Sequence, residues 1–281
     1  MSNKKVIDIS EHNGTIDFAK VREAGIKDVI IRVGWIGNKE NHTIDIKFEE
    51  YYKLARYYGF NIGIYVYSYC KSKEAILNGC RWIEKKLYNK RIDLPVFLDL
   101  EDKTIEHLSK SELTNHAIEF CKYFKSLGYK VGVYANLYWF NNKLNINDLL
   151  DYKIWLAQYT TAKTHSFRYK VDLWQYTSTG KINGIKGNCD ISYCMCNCDN
   201  NKTNKKETKK EDFEVAKTYK NGSTKEPVYS DSLLKNQIGS LDKYETCECL
   251  GIVQGHYIVK YKINGTNNYK VGFVKYSGGV K

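Results

Sequence analysis

Along the first two thirds of the chain the spacing of apolar and polar positions changes repeatedly. Short apolar runs, alternating or nearly continuous, fall at Val6–Ser10, Asp28–Gly34, Asn61–Tyr67, Val96–Glu101, Lys130–Tyr134, Ile154–Ala157, Asp172–Tyr176 and Cys189–Ser192, and each predicts a strand. Between some of them the period lengthens to that of a helix: Ile76, Cys80, Ile83 and Leu87 form one stripe, and Leu113, Ala117, Phe120, Phe124 and Leu127 another. Ser109-Lys-Ser-Glu112 offers the second stripe a capping box and Gly128 a stop. Strand followed by helix, repeated, is the rhythm of a parallel sheet or a β/α barrel.

The pattern breaks after Cys198. Residues 199–212, DNNKTNKKETKKED, hold no apolar side chain, so burial cannot order them, and they read as a polar linker. Residues 213–281 are too short for another barrel; the runs Tyr257–Ile263 and Tyr269–Lys275, joined through Asn264-Gly265, predict a small all-β module. The expected organisation is a domain over 1–198, a linker over 199–212 and a module over 213–281.

Composition narrows the class. With 281 residues, 42% of them apolar and 14% aromatic, the chain can bury a sizeable core. No run approaches the roughly 18 apolar residues of a membrane helix, and the opening MSNKKVIDIS lacks the apolar stretch of a secretory signal, so a protein made in a cytoplasm without membrane insertion is expected. Nine cysteines, odd in number and several closely spaced, argue for reduced thiols. Cys194-Met-Cys-Asn-Cys198 alternates strictly and lacks the C-x-x-C step of zinc ribbons, so neither metal nor cofactor is expected. The net charge of +12 favours an anionic partner, and the absence of a Lys/Arg block argues against nucleic acid.

The chemistry is concentrated where strands meet acids. In Pro95-Val-Phe-Leu-Asp-Leu-Glu-Asp102, strand alternation sets Phe97, Asp99 and Glu101 on one face and Leu98, Leu100 and Asp102 on the other. The two acids lie at the C-terminal end of the run, the end of a β/α barrel that carries the active site. Asp8 and Asp190 interrupt two further strands in the same way. Any one such acid reads equally well as a solvated strand end or a helix cap, but four interruptions together favour chemistry. Crowded carboxylates repel, so a proton is retained, which lets a Glu act as a general acid near neutral pH. Glycoside hydrolysis needs such a set: one acid for the leaving oxygen, another to stabilise or trap the sugar cation.

The segments Asp8-Ile-Ser-Glu-His-Asn-Gly14, Gly63-Ile-Tyr-Val-Tyr67, Phe97-Leu-Asp-Leu-Glu101, Gly132-Val-Tyr-Ala-Asn136, Ile154-Trp-Leu-Ala-Gln-Tyr159, Leu173-Trp-Gln-Tyr176 and Cys189-Asp-Ile-Ser192 resemble, in order, those of lysozymes of glycoside hydrolase family 25. The resemblance covers residues 4 to 195 and implies an α/β fold, an irregular, flattened, TIM-like β/α barrel. It implies cleavage of the β-1,4 bond between N-acetylmuramic acid and N-acetylglucosamine in peptidoglycan with net retention. Transferred position by position, Glu101 is the general acid and Asp8, Asp99 and Asp190 the surrounding carboxylates, with an aspartate nucleophile and a substrate-assisted route both open. Tyr65, Tyr134, Trp155 and Trp174 correspond to cleft aromatics, with barrel core as the alternative for each Trp; Arg32 is expected to hold a cleft carboxylate or to form a surface salt bridge. Tyr67 stands where many relatives carry Phe, Val66 replaces a frequent His, and His12 reads as structural.

Residues 226 to 278 resemble a bacterial SH3-type domain, with Pro227-Val-Tyr229 opening and Val271-Gly-Phe-Val-Lys275 closing, which implies a small SH3-like barrel that anchors the enzyme on the wall. Peptidoglycan is the expected partner, with teichoic acids or wall peptides as the ligand of the second module. The combination resembles a bacteriophage endolysin, held in the host cytoplasm and released onto the wall to lyse the cell. Met195, the only internal methionine, is a candidate internal start that would yield the free module. The alternative from another class is a non-catalytic wall-binding protein on a decayed hydrolase scaffold, against which the retention of all four acids argues.

Overall fold

A computed structural model of the chain describes residues 4–195, 217–253, 255–275 and 279–280. The polar run 199–212, Cys196 and Cys198 lie outside the described residues. By contact, described residues up to 48 and from 58 to 195 form one compact unit, and 49–57 with those from 217 onward form a second.

In the first unit, eight strands close on themselves: β1 (Lys5–Ile9), β2 (Asp28–Ile36), β4 (Asn61–Ser68), β5 (Val96–Asp99), β6 (Val131–Asn136), β7 (Lys153–Ala157), β8 (Leu173–Gly180) and β9 (Cys189–Cys194). Each predicted strand is present. The first seven run parallel with their neighbours, while β9 is antiparallel to both β8 and β1. The barrel is thus a mixed one, and its closing strand arrives by a hairpin-like return from β8 rather than by a helical crossover. A two-residue strand, β3 (Thr43–Ile44), pairs antiparallel with the end of β2. That approach requires Gly34, whose φ is +151° and where a Cβ would stand 2.0 Å from the Thr43 carbonyl oxygen.

Helices α1 (Phe18–Glu23), α3 (Lys73–Leu87), α4 (Lys110–Ser126) and α5 (Leu137–Asn142) lie between barrel strands in the chain, while α2 (Phe48–Tyr57) is, apart from Phe48, part of the second unit. The predicted stripe on α3 is buried, and Ser72 caps the helix by accepting from the Ala75 N–H. On α4 the Ser109–Glu112 capping box forms in both directions, and Leu113, Ala117, Phe120 and Phe124 are buried. Leu127, expected to complete that stripe, is instead the C-cap residue and is exposed, because the helix stops one residue short of it and the chain turns at Gly128 with φ +89°. No helix among the described residues is long and apolar enough to cross a membrane.

The lower interior of the barrel is apolar, with Val6, Ile30, Phe97, Trp155 and Leu173 packed together. Gly132 makes room for the Phe97 ring, which would lie 2.5 Å from a Cβ there. This floor supports the polar layer above it.

Among the described residues the second unit carries an antiparallel sheet of seven strands: β10 (Lys217–Lys220), β11 (Glu226–Tyr229), β12 (Gln237–Leu241), β13 (Thr246–Val253), β14 (His256–Lys262), β15 (Tyr269–Val274) and β16 (Gly279–Val280), in the order β12-β11-β15-β14-β13-β10-β16. Tyr219, Val228, Leu241, Tyr257, Val259 and Val274 share its core with Cys247 and Cys249, which alternation places on one face of β13. The β14–β15 turn uses Gly265 at φ +75°, as Asn264-Gly265 predicts.

Candidate active site

Strand alternation decides which side chains enter the barrel mouth. Asp8 of β1 stands directly opposite Asp190 of β9 in the antiparallel register. Asp99 closes β5 between Tyr67 of β4 and Tyr134 of β6. Glu101 lies two residues beyond, past the end of the strand, and the Leu100 N–H still donates to the Tyr134 carbonyl, which carries the extended path forward. All four acids line one cavity of about 480 Å³, together with Arg32, Tyr65, Tyr67, Tyr134, Trp155 and Gln175.

Burial and mutual repulsion shift these acids the same way. Asp8 is raised well above the usual carboxylate range by burial and then by Asp190, and Asp99 by burial and then by Glu101 and Asp8. Glu101 is raised by burial against a hydrogen bond with Tyr134, and Asp190 and Asp102 add to the rise. Burial brings Asp190 to about 6. Four carboxylates that each favour protonation in one cavity cannot all ionise at neutral pH, so the site holds protons. Glu101 interacts with all three aspartates: Asp190 adds to its own rise, and its charge in turn raises Asp8 and Asp99.

Asp99 is 3% exposed, and its Oδ1 has no hydrogen-bond partner. A buried acceptor without a partner is costly, and Asp99 carries that cost beside the other three acids. Asp102 points out of the site, as alternation predicts. Burial there is outweighed by hydrogen bonds from Thr104 and Tyr67, so its carboxyl is held low. The Tyr67 hydroxyl, absent where relatives carry Phe, donates to Asp102 at 3.0 Å and so ties the segment after β5 to β4.

Arg32 acts on a cleft carboxylate, Asp99, without bonding it. It is 9% exposed and lines the cavity, yet its Nε donates to Asp45 at 2.7 Å and its Nη2 to Glu11 at 2.9 Å. Its ion-pair partners are therefore two acids outside the carboxylate set. The triad fastens the turn after β1 to the segment after β3, and from that place the guanidinium still lowers Asp99. Trp155 serves as both floor and lining: it is 1% exposed, its Nε1 donates to Ser192 at 3.0 Å, and Tyr65 and Tyr134 meet it edge-on. Trp174 is not brought to the cavity. Its neighbour Gln175 faces inward, so Trp174 must face outward, where its Nε1 donates to the Gln158 carbonyl at 2.9 Å and its ring packs on His165, Tyr176 and Tyr193.

Several lining residues escaped sequence reasoning. Gln175, inside a quoted motif, carries no charge to draw notice, although its parity with the inward strand positions could have placed it. Lys186 and Asn188 come from a loop with no periodic signal, Tyr159 follows β7 at the end of a quoted motif, Ser178 lies near the end of β8, and His12 joins them in the lining. Among the described residues no group of three or more His, Cys, Asp or Glu is placed to hold a metal ion.

This arrangement matches a known family: the sequence model of glycosyl hydrolases family 25 covers residues 7–185. The chain belongs to glycosyl hydrolase family 25. An autolytic lysozyme of Clostridium acetobutylicum is 25% identical over 188 residues, which are 66% of this chain and 54% of that one. The modular autolysin LytC of Streptococcus pneumoniae, solved in complex with a synthetic peptidoglycan ligand, is 28% identical, with a TM-score of 0.59 over 67% of this chain and 46% of LytC. The CTP1L endolysin, whose activity is described as regulated by a secondary translation product, shares the fold at 24% identity, with a TM-score of 0.57 over 68% of this chain and 66% of its own. This chain spans about half the length of the autolytic lysozyme and of LytC. The closed eight-stranded barrel matches the solved relatives in fold, and the segment matched by the family model contains Asp8, Asp99 and Glu101.

Proposed function

We propose that this family 25 protein is a peptidoglycan hydrolase, an N-acetylmuramidase that cleaves the β-1,4 bond between N-acetylmuramic acid and N-acetylglucosamine. The observation that carries the reading is the gathering of Glu101 and Asp99, two residues apart at one strand end, with Asp8 and Asp190 in a single cavity, where burial raises every one of the four acids. Glu101 gives its proton to the leaving glycosidic oxygen. Asp99 meets the positive charge that develops at the sugar, either by bonding C1 or by accepting the N–H of an acetamido group that attacks C1 itself. Both routes invert twice and give net retention. Asp8 and Asp190 flank the reacting centre, and Tyr65, raised well above the usual tyrosine range by burial, stays a neutral hydroxyl donor to the sugar.

The second unit is read as an SH3-like wall-binding module, its ligand a teichoic acid or a wall peptide, and the whole chain as an endolysin that waits in the host cytoplasm and lyses the cell from within. Such a module raises the local concentration of the barrel at its polymer. By analogy with the CTP1L endolysin, a secondary product starting at Met195 would carry all of β10–β16 and none of the barrel strands.

Digestion of purified bacterial walls tests the linkage. New reducing ends without new free amines, with N-acetylmuramic acid at the reducing end by mass spectrometry, are expected. Amine release, or N-acetylglucosamine at the reducing end, would replace the muramidase reading with an amidase, peptidase or glucosaminidase.

A further inference from the structure

The inward face of β4 carries one aromatic ring more than the cavity uses. In Tyr65-Val-Tyr-Ser-Tyr69 the tyrosines fall at every second position, so all three share the face that opens on the barrel mouth, while Val66 and Ser68 are fully buried on the other. Tyr65 and Tyr67 are partly buried and line the cavity. Tyr69 stands beyond that lining and is 36% exposed. From the first to the third the chain climbs about 13 Å, four residues at about 3.3 Å each, so the row leads from the reacting centre out over the rim.

The last ring is held in place although it is exposed. β4 ends at Ser68, yet the Tyr69 N–H donates to the Ile36 carbonyl at 2.8 Å and prolongs the pairing with β2. The Tyr69 carbonyl accepts from Asn38 Nδ2 at 3.3 Å, and Asn38 Oδ1 accepts from the Lys71 N–H at 2.8 Å. Cys70, the next residue, is fully buried. The rings of Tyr67 and Tyr69 lie 5.0 Å apart, centre to centre, at 51°, and the Tyr67 hydroxyl is itself tied to Asp102. A ring whose backbone is anchored on both sides needs little further ordering to accept a ligand. Burial, then Asp102, raise the Tyr69 hydroxyl, and Arg32 and Asp99 also act on it, so the phenol stays neutral within reach of the charges of the site.

Continuity with the cavity identifies the occupant. A glycan strand runs on past the bond that is cleaved, and its next ring has to cross the rim. A pyranose with equatorial substituents carries its hydroxyl groups around its edge and C–H bonds on its faces. Such a face packs on an aromatic ring while the edge stays wet, and a tyrosine, apolar in its body and polar at its tip, suits both. We propose that Tyr69 is a sugar-binding platform outside the cavity, on which a further pyranose ring of the glycan strand stacks. The row Tyr65, Tyr67, Tyr69 then sets the path of the strand from the acids to the rim. The platform adds no step to the reaction. It adds binding that a chain must be long enough to reach, and so makes the enzyme prefer long strands to short fragments.

This inference rests on the muramidase reading, and the test separates the two. Glycan chains stripped of peptide and sorted by length, up to the octasaccharide, are digested by the parent chain, by Tyr69→Ala and by Tyr69→Phe, with thermal unfolding as a control for folding. For the parent, kcat/KM is expected to rise about tenfold from the shortest chain cleaved to the octasaccharide. Tyr69→Ala loses most of that rise through KM, so its loss is about fivefold or more greater on the octasaccharide than on the shortest chain. Tyr69→Phe keeps the stacking face and retains the rise to within about twofold. A parent indifferent to length overturns the platform. So does an alanine variant that loses equally at every length or at none, or a phenylalanine variant as impaired as the alanine one. Should Tyr69→Ala fail to fold, Tyr69→Leu, which keeps apolar bulk without a flat ring, is read by the same ratio. A parent that cleaves walls but no stripped chain also overturns the platform, whereas one that releases no reducing ends from either sinks the muramidase reading itself.

Discussion

At the scale of single residues, the site is a set of acids kept from full ionisation. Asp190 illustrates the consequence. Its carboxyl titrates at about 6 in the folded chain and at about 3.9 when unfolded, so the folded state binds the extra proton and stability is lost as pH rises between those values. Asp190→Asn is therefore expected to raise the unfolding free energy at pH 7.5 by about 1–2 kcal/mol, discounted for its partial exposure, and to change it little at pH 4. Thermal unfolding at the two pH values checks this. Because Asp190 also raises Glu101, the same variant should lose activity at a lower pH than the parent on the alkaline side. The inward direction of Asp99 and Glu101 was legible in the sequence, because alternation needs only the strand to exist. The partners of Arg32 were not: Asp45 follows a strand of two residues, and Glu11 lies in a short turn, and neither has a period that places it. Trp174 shows the limit of transferring a whole motif, since the parity that sends Gln175 inward sends its neighbour out.

At the scale of elements, the strands and the two long helices were readable because each repeats its pattern for long enough. Helices α1 and α5 have six residues each, too few for a 3.6-residue period to show. The antiparallel course of β9 leaves no mark in its own composition, since it is fixed by the closing of the barrel between β8 and β1. Two substitutions test how elements hold the site. Gly34→Ala would force the β3 backbone away from β2, and with it Asp45, whose N–H bonds the Val33 carbonyl and whose carboxylate bonds Arg32. A loss of about 1–3 kcal/mol in stability and a clear loss of activity are expected, measured by denaturant unfolding and reducing-end release. Ser109→Ala removes the α4 cap, which is not among the residues that line the cavity, and should cost about 1 kcal/mol with activity at 25 °C unchanged. A variant that loses activity in proportion to that stability would show the cap to be coupled to the site.

At the scale of the whole molecule, the sequence announced a barrel followed by a β-rich module, and its excess of 12 positive charges sought an anion. The module reading is tested by sedimentation with purified walls: binding should weaken steeply between about 50 and 500 mM salt and survive Glu101→Gln, because the wall contact and the acid are separate functions. Binding that is indifferent to salt and to extraction of teichoic acids would point to a neutral wall ligand. The central claim concerns Glu101 itself. The most direct measurement compares reducing-end release from walls by the parent and by Glu101→Gln, both confirmed folded by matching unfolding curves. An isosteric amide has no proton to give, so a fall of about a hundredfold to ten-thousandfold is expected; a folded Glu101→Gln that keeps activity within about tenfold would contradict the assignment of Glu101 as the acid.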